Sequence, residues 1–358
     1  MPNDATAKAI PRPTLACVIT VSSVPLDDPR ARALWEEQQA ELAARYGSPD
    51  TAADFADKMP PGELLASFLA TDDAGEPVGT GLVRWSPYAT GAGSAEVKRL
   101  FVRAPHRGHG HSRVIMGAIE RAAWRAGAVR LVLETGNEQP EAIGLYQRIG
   151  YRDFPRFGPY EGDPRSVCFV KELPTRVLVL NGTMGAGKTE ILGATQAVLA
   201  NEGARVAAID ADWLCQAEPA NEDDRFNERL MFDNLTAIAP NYRRGGYGLV
   251  LAARPVEDVR GREEFSRAFA DAAAGPAQVA IVRLDASEET RQARLKAREP
   301  EGFYEDFARH RTGELAASIE ALDLDDGVVE NDGADRYDVA RAVLAAADWW
   351  VAGSEPLA

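Results

Sequence analysis

Residues 181–190 read Asn-Gly-Thr-Met-Gly-Ala-Gly-Lys-Thr-Glu, and Gly182, Gly187, Lys188 and Thr189 satisfy G-x-x-x-x-G-K-[ST] at every fixed position. The glycines let the backbone N–H groups of Gly182, Thr183, Met184, Gly185, Ala186 and Gly187 converge on phosphate oxygens, and a helix N-terminus adds a field that favours anions. Lys188 is placed to bridge the β- and γ-phosphates of ATP, and Thr189 to ligate Mg²⁺. An apolar, β-branched run (175–182) precedes the loop and a helical pattern follows it. That context separates a nucleotide cradle from a glycine-rich turn without a ligand.

Two carboxylates, Asp210 and Asp212, follow the next apolar run, where open α/β sheets bind ligands. One can hold Mg²⁺ through water, a role assigned to Asp210; the other, Asp212, can take the proton of an attacking hydroxyl. A helix cap followed by a solvated turn is the alternative. The run at 248–253 ends in Ala252-Ala253-Arg254 with no acid, so metal binding falls on the Asp pair. Arg291, Arg294 and Arg298, three and seven residues apart, share one helix face. They suit the charge developing in phosphoryl transfer, or simply a solvated face paired with Glu288 and Glu289.

These segments resemble the small-molecule and nucleotide kinase branch of the P-loop fold, over about residues 175–350. The resemblance implies that Arg291, Arg294 or Arg298 touches phosphates as a lid arginine, and that Asn331 and Asp332 of Glu-Asn-Asp-Gly lie near the adenine. No N-K-x-D segment reads guanine, which disfavours a GTPase.

A second glycine loop, Arg107-Gly108-His109-Gly110-His111-Ser112, opens another amphipathic helix but lacks the Lys-Ser/Thr pair. This order resembles the GNAT acetyltransferase family, whose [QR]-x-x-G-x-[GA] loop binds the pyrophosphate of coenzyme A through backbone amides. Arg107 and Gly110 match, and Ser112 replaces the final small residue. Residues 134–151 resemble the family's N-x-x-x-A-x-x-L-Y-x-x-x-G-[FY] region. The resemblance, over about residues 13–172, implies that acetyl-CoA is the donor. It makes Tyr146 the general acid for the departing thiolate and Asn137 a cofactor contact. Backbone amides around Leu100, Phe101 and Val102 then hold the acetyl carbonyl and pantetheine, and Glu96 acts as base through water. By spacing alone, Tyr146 also suits a core tyrosine and Glu96 a surface strand residue. The cluster of His106, His109 and His111 reads as part of a cofactor loop rather than a metal site.

The elements that must position these groups change character at Leu173–Pro174. Before it, short strands and helices predict an α/β domain (14–172, after a tail at 1–13) with a mostly antiparallel, mixed GNAT-like sheet and one central strand–loop–helix unit. After it, alternating β and α patterns predict a P-loop NTPase sandwich with a parallel sheet (175–358). A linker of a residue or two implies packed domains.

At 358 residues the chain is long enough for two cores. Residues 1–172 carry 20 Lys and Arg against 22 Asp and Glu; residues 173–358 carry 20 against 33. The acidic second half disfavours nucleic acid and would attract a cationic acceptor. No apolar run spans a bilayer and no signal segment opens the chain, which implies a cytoplasmic protein with Cys17, Cys168 and Cys215 as reduced thiols.

The expected function is therefore bifunctional: acetyl-CoA-dependent N-acetylation and ATP/Mg²⁺-dependent phosphorylation of small-molecule amines and hydroxyls, an antibiotic or a metabolite among them. Two alternatives stand beside it: an acetyltransferase regulated by a nucleotide-sensing domain, and a nucleic-acid end kinase with an accessory GNAT domain. Oligomeric state is not legible in the sequence.

Overall fold

The computed structural model describes residues 19–47, 64–220, 222–298 and 303–349. The tail at 1–13 and Cys17 lie outside these residues.

The first half holds β1 (Thr20–Ser23), α1 (Pro29–Tyr46), β2 (Leu64–Thr71), β3 (Pro77–Trp85), β4 (Ser94–Val102), α2 (His111–Arg125), β5 (Arg130–Gly136), α3 (Pro140–Arg148), β6 (Arg152–Phe154) and β7 (Ser166–Glu172). They form one sheet in the order β1-β2-β3-β4-β5-β7-β6. Every pairing is antiparallel except β4 with β5. The three-residue β6 has no counterpart in the sequence reading, being too short to show a period.

Local chemistry explains the helix ends. Asp28 caps α1 by accepting from the amides of Arg30 and Ala31, and Gly47 closes it in the left-handed conformation. Helix α2 lies across the sheet through Ile115, Met116 and Ile119, all buried among Val78, Val83 and Val97. Gly79 and Gly81 permit that approach: a Cβ on Gly81 would sit 2.8 Å from the Ile119 side chain. On the opposite face, Ala31 and Leu34 of α1 cover Leu69 and Phe101.

The second half holds β8 (Arg176–Asn181), α4 (Lys188–Asn201), β9 (Val206–Asp210), α5 (Glu228–Arg244), β10 (Leu249–Ala253), α6 (Gly261–Ala268), β11 (Gln278–Asp285), α7 (Glu288–Arg298), α8 (Phe303–Leu322), β12 (Gly327–Glu330) and α9 (Arg336–Ala346). Its five strands, ordered β12-β11-β8-β10-β9, are all parallel. Helices α4 and α9 cover one face and α5 and α6 the other, which is why β8 and β10 are buried throughout. The chain leaves β8 toward one edge and β10 toward the other, so a crevice opens at their carboxyl ends.

The two sheets are joined at their roots. Main-chain bonds run from Arg205 N to Ala126 O and from Gly248 N to Gly127 O, each 2.9 Å. Gly93 packs directly on Gly246, and a Cβ on Gly248 would lie 2.6 Å from Gly127 O. Arg243 donates to the carbonyls of Leu173 (2.8 Å) and Val129 (3.1 Å) and pairs with Glu172 at 2.9 Å. Buried Arg176 is held between the rings of Trp124 (4.4 Å) and Trp349 (4.5 Å). All these contacts lie before β4, β5, β9 and β10 or at the start of β8. The loops 103–112 and 182–187, at the opposite strand ends, therefore face away from each other.

Gly127 has φ +82° and no room for a side chain against the carbonyl of Arg205. Gly127→Val should cost about 3 kcal/mol or more through strain and overlap. Calorimetry checks this: one transition for the parent protein, and a lowered or divided one for the variant.

Candidate functional site

Strands β4 and β5 pair only through Ser94↔Arg130, Ala95↔Leu131 and Glu96↔Val132. Beyond Glu96 they part, leaving β4 from Val97 to Val102 without a strand partner on that side. Arg99, in the left-handed region at φ 57°, marks a bulge where the β3 register shifts between Thr80 and Leu82. A cleft of about 330 Å³ opens at the split, lined by residues of α1, β4, β5 and the segment 160–166. Leu100, Glu134 and Tyr146 are among its walls. Phe101 and Val102 are buried behind Leu100.

At the end of β4 the chain turns into α2 through Gly108 (φ +82°) and Gly110 (φ +85°), with nothing within 4 Å of a Cβ at either. Among the described residues the amides of Gly108, His109, Gly110, His111 and Ser112 donate to no acceptor. Five unpartnered N–H groups at a helix N-terminus fit a diphosphate. Arg107 does not reach into this cradle. It pairs with Glu41 (2.6 Å) and donates to Val102 O (2.8 Å), which fixes the loop to α1 and β4. His109 and His111 stack at 5.7 Å, and burial together with the neighbouring imidazoles lowers the His111 pKa. No group of three or more His, Cys, Asp or Glu suited to a metal ion occurs among the described residues.

The two carboxylates of the cleft occupy different environments. Glu96 is wholly buried: Arg84 donates to its Oε2 at 3.1 and 3.0 Å, and the Lys98 ammonium lies 2.8 Å from Oε1 in an ionic contact without hydrogen-bond angles. Glu96 is not among the residues lining the cleft, contrary to its expected role as base. Glu134 does line it, accepting from Ser166 Oγ at 2.7 Å, and burial raises its pKa. The sequence carried a signal for it, an acid inside the apolar run Leu-Val-Leu-Glu-Thr. Tyr146 packs against Tyr151 and Phe169, and burial, with Glu134 nearby, keeps its phenol protonated far above the usual range. Asn137 is exposed and outside the cleft walls, its amide bonded to Arg165 O at 2.7 Å.

In the second half, Gly182, Gly185 and Gly187 take φ of +132°, +78° and +92°, and Gly187 begins α4. Among the described residues the amides of Met184, Gly185, Gly187, Lys188 and Thr189 donate to no acceptor. The Lys188 ammonium folds back onto Gly182 O (2.9 Å) and Thr183 O (3.0 Å), and burial lowers its pKa to about 8. Asn331 donates to Ala186 O at 2.8 Å, and Arg294 donates to Gly185 O at 3.2 Å. The backbone of Arg291 lies over Gly185, while its guanidinium turns to Asp285 at 3.5 Å. The charge of Arg298 contributes to lowering the Lys188 pKa. Asp332 caps α7 by accepting from Ser287, a structural role.

Thr189 Oγ1 donates to Asp210 Oδ2 at 2.7 Å, which brings the two expected metal ligands together. Asp212 is neutralised by Arg254 at 2.7 Å. That arginine stands at the end of β10, where the sequence lacked an acid.

Residues 31–151 match the family model described as the acetyltransferase (GNAT) family. An "IAA acetyltransferase" of Azospirillum brasilense is 40% identical over 106 residues, which are 30% of this chain and 67% of the relative. Two solved structures are also similar. A GNAT-family acetyltransferase of Staphylococcus aureus has TM-score 0.35 and 11% identity, covering 43% of this chain and 99% of that one. The ribosomal-protein-S18-alanine N-acetyltransferase of Escherichia coli has TM-score 0.32 and 19% identity, covering 43% and 91%.

Because the folded-state pKa of Glu134 lies above its ordinary 4.5, the native state binds the extra proton. Its contribution to stability is therefore full at low pH and is lost as pH rises from about 4.5 through the raised value. Glu134→Gln should gain on the parent protein over that window and hold a constant lead above it. Urea unfolding between pH 4 and 8 measures the difference.

Proposed function

The chain belongs to the GNAT acetyltransferase family through its first half, and from that premise we propose that the β4–β5 cleft transfers the acetyl group of acetyl-CoA to a primary amine of a small molecule. The observation that carries this reading is the pairing of an ionisable Glu134 with a protonated Tyr146 in the walls of one cleft.

The amides of Gly108–Ser112 would hold the diphosphate of acetyl-CoA, whose thioester would supply the activated acetyl group. The open edge of β4 would orient the acetyl carbonyl. Glu134 takes a proton from the attacking amine, and Tyr146 returns one to sulfur as the carbon–sulfur bond breaks. Burial suits both groups: it keeps the carboxylate basic enough to accept and the phenol protonated enough to donate.

For the second half, the reading best supported is an ATP/Mg²⁺-dependent kinase acting on a hydroxyl. Its support is the complete motif between β8 and α4, the unpartnered amides around Gly185–Thr189 and the Thr189–Asp210 contact. Thr189 and Asp210 are the hard-oxygen pair that would hold Mg²⁺ together with phosphate and water. Arg254 holds Asp212, so the loop residues, Lys188 and the α7 arginines carry more of the proposed chemistry than that carboxylate does. Nucleotide control of acetylation is the second reading; the joined sheets offer a path for it. The family match covers residues 31–151 and leaves this half outside it. No helix among the described residues is long and apolar enough to cross a membrane.

With acetyl-CoA and a panel of primary amines, Glu134→Gln and Tyr146→Phe should each lower kcat by about 100-fold, read as thiol release. Full activity in both variants would remove these roles.

Lys188→Ala should abolish Mg-ATP binding in calorimetry and leave thiol release unchanged, since the two cradles face opposite ways. Altered acetylation instead would favour nucleotide control.

A further inference from the structure

The acetyl-transfer cleft contains a cation that neither donor binding nor proton transfer directly requires. Glu96 is wholly buried, and buried Arg84 makes two donations to one of its carboxylate oxygens. Lys98 approaches the other oxygen from the cleft side at 2.8 Å. Its ammonium also contacts the Tyr160 hydroxyl, and both Lys98 and Tyr160 line the cleft with Glu134. Removing Lys98 would take one positive charge from the wall that Glu134 shares.

Glu134 accepts from Ser166 of β7 and shares the cleft lining with Tyr146 of α3, Lys98 and Arg99 of β4, and Tyr160, Asp163 and Arg165 of the segment before β7, while Glu96 of β4 and Cys168, opposite it on β7, interact with it through charge. Of the charged groups, Glu96 and Asp163 disfavour a second carboxylate and Lys98 favours one. We infer that Lys98 is a positioning residue for acetyl transfer: anchored on Glu96 and Tyr160, its ammonium keeps Glu134 ionised and able to accept the amine proton. The proton moves from the attacking nitrogen to Glu134. The same ammonium repels a protonated acceptor, so it favours the neutral amine that can attack. Tyr160 and Glu96 hold the flexible lysine at one point of the wall, where a free lysine would spread its charge into solvent.

This inference rests on Glu134 as the base, and the test separates the two. Protein labelled with ¹³C at glutamate side-chain carboxyls would be titrated by NMR, with Glu134→Gln assigning the signal. Lys98→Met should move the Glu134 midpoint to higher pH, because it removes the favourable charge and exposes Glu134 more strongly to Glu96. Lys98→Arg, which keeps the charge, should restore the parent midpoint. Tyr160→Phe, which loosens the anchor but keeps the ammonium, should give a smaller move. In thiol release with a primary amine, Lys98→Met should lose about tenfold at pH 6 and recover toward the parent rate as pH rises.

An unchanged midpoint in Lys98→Met would overturn the inference, as would an equal move in Lys98→Arg. If Lys98→Met does not fold, Lys98→Gln takes its place, with the same midpoint deciding. Should Glu134→Gln keep full acetyl transfer while Lys98→Met still moves the midpoint, the electrostatic link stands and the base assignment fails.

Discussion

Backbone amides without protein partners are the constraint around which both halves are built. A strand that hands its chain to a helix leaves the first helical N–H groups unsatisfied. Here the turn passes through left-handed glycines, Gly110 before α2 and Gly187 before α4, so that no side chain covers those groups. An N–H left without a partner and shielded from water is costly, whereas one that meets a phosphate oxygen gains a charge-assisted bond. The fold holds each row of donors rigid on a buried strand and an amphipathic helix. That arrangement underlies the anion binding proposed for both loops.

Charge is used differently at the two ends of the molecule. In the first half, burial isolates a few ionisable groups, and pairing decides which of them meets the cleft. Glu96 is locked by two cations, while Glu134, one strand away, meets the cleft with a hydroxyl for a partner. In the second half, the lysine and arginines around the loop are turned onto its own carbonyls or onto nearby acids. The seam separates these environments: glycine-on-glycine contacts and the Arg176 stack bind the strand roots and send the two loops in opposite directions.

Much of this was legible in the chain. The loops around Gly110 and Gly187, the α1 boundary at Gly47 and the change to buried parallel strands after Pro174 are local patterns, set by glycine conformation, periodicity and strand composition. Tyr146 sits at a spacing that places it on a helix, and the structure puts that helix face in the cleft. The bulge at Arg99 was not legible, because a bulge depends on the partner strand's register. Nor was it legible that Glu96 is closed off by Arg84 and Lys98 while Glu134 lines the cleft, since those neighbours are set by strand pairing.

By itself the sequence determined which residue types stand at each strand-to-helix turn, and with them the two glycine loops proposed as anion cradles, because those signals lie within a few consecutive residues. Tertiary structure alone decided where β4 and β5 part, which carboxylate faces the opening, that Arg254 neutralises Asp212, and that the two cradles point apart. Each of these depends on groups distant in the chain meeting in space, and electrostatic and packing energies between such groups are set by distance and burial, which sequence order does not encode.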